Sequence, residues 1–160
     1  MNLHEMFFVS SKSGDSPKNY RHIDTINVTD SYVAILKRTQ EPDGTPYRFK
    51  KILIKVSIPM SSSTSAVRIN LNSTNTICYR SDMVSSNNST LTTVKAEIDG
   101  GLIHGFMLNA NSADEYSTPL YKGSLMFDNH ECIHTVTAFM DATSTYFPIG
   151  SSVEIYGIDL

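Results

Sequence analysis

From Tyr20 onward, apolar residues return at every second position in short runs, and this alternation limits the chain to very few architectures. The longest run is Tyr47 to Pro59, where Ile52, Ile54, Val56 and Ile58 share one parity and Lys51, Leu53, Lys55 and Ser57 share the other. Successive side chains of a strand point to opposite faces, so period two marks a half-buried strand, whereas a surface helix would space its apolar residues three and four apart. Pro59, with no N–H for a ladder, ends the run. The same parity governs Val67, Ile69 and Leu71, and again Thr92, Val94, Ala96 and Ile98 against Leu91, Thr93, Lys95 and Glu97. Further strands are expected around Ile23–Val28, Tyr32–Leu36, Thr76–Arg80, Leu102–Leu108, Leu120–Phe127 and Cys132–Met140.

Turn residues punctuate these runs at about 8–12-residue spacing, the rhythm of a β-sandwich. The strongest turn is Glu41-Pro-Asp-Gly-Thr-Pro46, read as a hairpin loop between two strands; Asp99-Gly100-Gly101 is another. After the Gly150–Ser151 turn, Val153, Ile155 and Ile158 are expected to anchor a closing strand in the core. Gly157 within it marks a bulge or a close backbone approach. The reading is an all-β protein, an antiparallel sandwich of about eight to ten strands occupying residues 20–160 as one domain.

Composition supports this and narrows function. A chain of 160 residues is long enough to bury roughly two thirds of its unfolded surface. Ser, Thr and Asn are abundant, which favours strands joined by side-chain-capped turns over helices. The net charge of −3 is the wrong sign for a general nucleic-acid binder, whose footprint is a basic face. No 18-residue apolar run is present to span a membrane, and Met1–Val9 lacks the basic start and long apolar core of a secretory signal. Cys78 and Cys132 are therefore expected to stay reduced, with an internal disulfide as the alternative. The sequons at Asn27, Asn72, Asn87 and Asn88 follow from composition. Trp is absent and eight Tyr remain, which counts against carbohydrate stacking without removing its raw material.

Residues 1–19 stand apart. Met6-Phe7-Phe8-Val9 is an apolar patch joined to the domain by the turn-rich Ser10-Ser-Lys-Ser-Gly-Asp-Ser-Pro17. It reads equally as an arm that docks on a neighbouring subunit and as a first strand of the same domain.

One motif carries a specific chemistry. His130-Glu131-Cys132-Ile133-His134 fits H-E-x-x-H, in which a helix sets two histidines on one face to bind zinc and the glutamate acts as base on the metal-bound water. In an extended segment those histidines would lie about 13 Å apart, too far for one ion. The residues that follow, Thr135-Val-Thr-Ala-Phe, favour a strand, so no peptidase is expected. A strand would instead set His130, Cys132 and His134 on one face about 7 Å apart, which would hold a metal only with help from a neighbouring subunit. No nucleophile elbow, P-loop, dinucleotide fingerprint or calcium loop is present, and no catalytic residue, cofactor or metal is assigned.

The C-terminal stretch, Phe147-Pro-Ile-Gly-Ser followed by Val153-Glu-Ile-Tyr-Gly-Ile158, resembles the ending of many tailed-bacteriophage virion proteins, whose last strand runs from Gly-Ser to apolar-Tyr-Gly-Ile. Ile69-Asn-Leu-Asn-Ser-Thr-Asn-Thr-Ile-Cys-Tyr79 and the Ser57-Ile-Pro59 strand end are similar to upstream features of that group. The resemblance implies a jelly-roll-like sandwich in a virion structural protein of the head-decoration or head-fibre type. Such a protein is non-enzymatic and assembled in the host cytoplasm. It also implies a homo-oligomer, a trimer by preference, with other virion proteins such as the major capsid protein as partners. The alternative is a tail, baseplate or fibre-tip module that binds a receptor or glycan through loops 81–90 and 109–118 with Tyr116 and Tyr121. The zinc peptidase is the remote third reading.

Overall fold

The computed structural model describes residues 19–59, 66–72, 79–80, 89–111, 122–126, 130–140 and 145–160. They form ten strands and no helix: β1 (Arg21–Asn27), β2 (Ile35–Arg38), β3 (Phe49–Ile58), β4 (Val67–Leu71), β5 (Tyr79–Arg80), β6 (Thr90–Asp99), β7 (Leu102–Asn111), β8 (Lys122–Met126), β9 (Val136–Met140) and β10 (Ser152–Asp159). All pairings are antiparallel. A six-stranded sheet runs β1-β10-β3-β6-β7-β8 and a four-stranded sheet runs β2-β9-β4-β5. The protein is an all-β sandwich.

The alternation expected in β3 is realised. Ile52, Ile54, Val56 and Ile58 are all buried, as are Val94 and Ala96 beside them and Ile103 and Met107 on β7. From the facing sheet come Leu36, Val67, Ile69, Leu71, Val136, Ala138 and Met140. These two sets make one continuous core. At roughly 1.5–3 kcal/mol for each large side chain taken out of water, it supplies the main favourable term of folding. The Lys face of β3 is outward: Lys51 pairs with Glu97, and the Lys55 ammonium sits 5.1 Å from the Tyr156 ring centre.

Three expectations need correction. The Glu41–Pro46 turn forms, with Gly44 at φ 91° donating to the Glu41 carbonyl, but it joins β2 in one sheet to β3 in the other. It is a crossover between sheets and not a hairpin, because the Gln40–Pro46 bridge closes the turn and pairing stops there. In β10, Val153 and Ile155 are buried, but the third inward position is Gly157. Ile158 falls on the outer face, as strict period two requires. Lastly, Tyr32 is not in a strand: β2 starts at Ile35, after a turn that holds Tyr32 at φ 76°.

Two buried tyrosines give the core a pH limit. Burial foremost, then the charge of Asp24, pushes the Tyr47 phenol up to about 12, and its hydroxyl finds no partner among the described residues. Tyr156, buried on the outer face and donating to Glu154 Oε2 at 2.6 Å, is also raised to about 12, first by burial. Unfolded tyrosines ionise near pH 10. The stability these protonated phenols provide is therefore whole below about pH 10 and falls as pH climbs toward 12. Tyr47→Phe should fold as well as the parent at neutral pH, since it removes a buried hydroxyl that lacks a partner. It should also flatten the alkaline loss of the urea midpoint. An alkaline limb identical to the parent's would show that Tyr47 does not carry it.

Candidate functional site

The register sorts the sandwich into two ends. Asn27 pairs with Ser152, Ser152 with Ser57, Ile58 with Thr90 and Thr90 with Asn111; in the other sheet, Ile35 pairs with Phe139 and Val67 with Met140. These residues mark one end, from which connections 28–34, 59–66, 81–89, 112–121 and 141–151 depart. The opposite end holds Asn19, the Glu41–Pro46 turn, Asn72, the Asp99–Gly101 turn, residues 130–135 and the C-terminal Leu160. The candidate binding loops 81–90 and 109–118 lie outside the described residues except for 89–90 and 109–111.

At the joining end, the H-E-x-x-H segment is irregular backbone and not a helix. Its geometry is set by Asn72, which follows β4 in the left-handed region at φ 62°, a conformation that asparagine tolerates better than most residues. Its side-chain amide donates to the Cys132 carbonyl at 2.7 Å and lies 3.3 Å from His130 Nδ1. Its Oδ1 accepts from the backbone N–H of His134 at 2.8 Å and of Thr135 at 3.2 Å. The Asn72 N–H donates to the Thr135 carbonyl, and Ile133 exchanges both backbone hydrogen bonds with Phe49. One side chain therefore clasps four groups of residues 130–135, and the helical face that metallopeptidase chemistry needs is not formed. His134 Nδ1 is engaged with Thr135 Oγ1 at 2.9 Å. Among the described residues no three His, Cys, Asp or Glu side chains gather into a metal-ligating cluster, so His130, Cys132 and His134 do not make one within the chain.

On the outer face of the six-stranded sheet, near the same end, lies an open depression of about 460 Å³ lined in part by Tyr20, Lys51, Lys95, Glu97, His104 and Phe106. Its one carboxylate, Glu97, is paired. The hydrogen bond from Lys51 holds the Glu97 carboxyl below its ordinary range, and His104 Nε2 stands 3.8 Å from the same carboxylate. Burial, then the Glu97 charge, raises the Tyr20 phenol. Glu97 and His104 are thus neighbouring titratable groups in this depression, with the carboxylate already paired to Lys51.

The loop end is different in kind. Of the six exposed large hydrophobic residues among the described ones, Tyr32, Ile35, Leu91, Tyr146 and Ile149 lie here, and the sixth is the terminal Leu160. Tyr32 and Tyr146 meet edge to face with ring centres 5.2 Å apart at 83°. Their backbones are fixed to each other and to the core: Phe147 N–H donates to the Val33 carbonyl and Val28 N–H to the Ser151 carbonyl, while Phe147 is buried and Val33 packs on the core. Sequence reasoning missed this pair because Tyr32 continued an apolar run. The available signal was Thr29-Asp30-Ser31, a turn-forming cluster just before it. It also missed Asn72, which was noted as a sequon.

Met6, Phe7, Phe8 and Val9, Tyr116 and Tyr121, and Cys78 lie outside the described residues, and Cys132 is a free thiol. No family model, no curated protein and no solved structure matches this chain.

Proposed function

We propose that this chain is a non-enzymatic structural protein of a bacteriophage virion, a head decoration or head-fibre component with a jelly-roll sandwich. The observation that carries this reading is the strand order. Setting aside the β7–β8 hairpin, the sheets run β1-β10-β3-β6 and β2-β9-β4-β5, the order of an eight-stranded double Greek key. That architecture builds viral capsid domains, and lectins and cupins as well. Architecture alone hosts many functions; the likeness of the C-terminal strand to phage virion proteins tips it toward the particle. The two-ended layout fits a repeated subunit. Residues 1–18 join at one end, where an apolar arm would reach a neighbouring copy or the major capsid protein, and five connections leave from the other. A homo-oligomer, trimeric by preference, follows from arms exchanged among repeated copies.

Antibody raised against the purified chain should decorate phage particles in negative-stain images at regular positions on the head. Particles that carry no label, or a protein found only outside particles, would overturn the reading. A second expectation concerns the arm. Four large apolar side chains left in water cost roughly 1.5–3 kcal/mol each relative to burial, so Met6–Val9 should be covered by a partner. Removing residues 1–16 should leave a folded domain that elutes as a monomer and no longer sediments with particles. A truncated chain that still oligomerises and docks would eliminate the arm.

A further inference from the structure

We infer that the loop end of the sandwich is a binding site for a neutral saccharide, with Tyr32 and Tyr146 as its stacking platform. This goes beyond the assignment to a virion and stands or falls separately from it. Three observations converge. First, Tyr32 is 77% exposed although it is a large aromatic residue, and its φ of 76° lies in a region that bulky side chains rarely occupy. Backbone held in a sparsely populated conformation persists only where its surroundings over-determine it, and such residues cluster at functional sites. Here the surroundings are the core-packed Val33 just after it and the Val33–Phe147 hydrogen bond. The turn spends conformational strain to hold a ring out in water.

Second, the 83° angle between the rings makes a corner with two apolar walls, each ending in a hydroxyl. Tyrosine combines an apolar face with a polar tip and loses little side-chain entropy on binding, which is why it anchors recognition surfaces. A pyranose is the matching shape: one face rich in C–H groups and a rim of hydroxyls. Exposed Thr29, Asp30 and Ser31 precede Tyr32 directly and supply acceptors and donors for that rim.

Third, charge selects among saccharides. The two connections that carry the tyrosines, 28–34 and the described 145–151, hold a single charged side chain, the exposed Asp30, and no Lys, Arg or His. An anionic sugar would meet like charge at Asp30 beside the rings, so sialylated or uronic-acid glycans are disfavoured.

Saturation-transfer difference NMR on the full chain, with maltose, cellobiose, lactose and mannobiose as probes, tests the proposal. At least one should show transfer, with the C–H protons of one ring face saturated most. Tyr32→Ala and Tyr146→Ala should each weaken binding about tenfold or more, the loss expected of a buried aromatic anchor. Tyr32→Gly, whose backbone is at ease at this φ, should lose binding equally and so exclude collapse of the turn as the cause. Absence of transfer from every neutral sugar would overturn the proposal. So would binding unchanged by the three substitutions, a preference for sialyllactose over lactose, or loss of self-association in Tyr32→Ala, which would make the patch a subunit interface.

Discussion

Gly157→Ala is expected to lower stability by about 3 kcal/mol, at the upper end of what overpacking a core does, and Gly157→Val to yield no soluble protein. Gly157 is the third inward position of β10, which lies between β1 and β3 within the six-stranded sheet. Its φ is unexceptional, so the need for glycine is one of space. A Cβ built there would stand 2.6 Å from Phe49 Cδ1 and 2.7 Å from Cε1. Phe49 has nowhere to go. It is fully buried, its ring packs on Tyr47 with centres 4.9 Å apart, and its backbone is tied to Ile133 in both directions. Because both strands are fixed by their ladders, the strain must be taken up by shifting β10 against β3. Phe49→Leu alone should be destabilising through lost volume. Combined with Gly157→Ala it should be less harmful than the sum of the two, since the shorter side chain vacates the clash. Equilibrium urea denaturation of the four proteins in a double-mutant cycle measures that coupling. Strictly additive losses would mean that the ring is not what excludes the Cβ.

The strands of this protein were legible in the sequence because one sheet face is buried and the other wet, so the pattern is printed at every second residue. In β3 and β6 it can be read position by position. What was not legible is which strands share a sheet. Period two reports a face and says nothing of the partner, and the Glu41–Pro46 turn looks the same whether it closes a hairpin or sends the chain across the core. The fate of Ile158 shows the opposite failure: hydrophobicity was allowed to override parity, although parity pointed to Gly157 as the inward residue. The H-E-x-x-H residues are not helical, but the strand that the β-branched residues after them suggested begins only at Val136, and residues 130–135 are irregular. Yet the agent that shapes the segment, Asn72, lies some sixty positions away, and a contact at that separation leaves no local trace. Tyr32 and Tyr146 are likewise joined only by topology. Each is an ordinary residue in an ordinary loop until β1, β2, β9 and β10 bring the two loops together.

Asn72→Ala should be the most damaging single change at the joining end, lowering stability by about 3 kcal/mol and loosening residues 130–135. Two physical terms add. The substitution leaves the N–H groups of His134 and Thr135 and the carbonyl of Cys132 without their partner, and a buried polar group deprived of its hydrogen bond costs about 1–3 kcal/mol. Water reaches part of this segment, since His134 is exposed, so the full sum is not lost. Alanine must also adopt φ 62° without the local side-chain hydrogen bonds that ease asparagine into this region, so it bears more of the roughly 1–2 kcal/mol cost than the parent does. Two further variants separate the terms. Asn72→Gly removes the hydrogen bonds and relieves the backbone, so it should be about 1 kcal/mol better than alanine. Asn72→Asp keeps an acceptor for the two N–H groups but loses the donor to Cys132, setting a carboxylate against its carbonyl, and should fall between glycine and the parent. Amide exchange gives the second readout. Protection of Ile133 and Phe49, which donate to each other across the joint, should drop in the alanine variant while the centre of β3 keeps its own. Such a loss confined to the 130–135 region and its Phe49 contact is a local opening, and it follows only if Asn72 is the clasp. Equal stability of the alanine and glycine variants, with Phe49 and Ile133 as protected as in the parent, would remove Asn72 from that role and leave the bridge to β3 as what holds the segment in place.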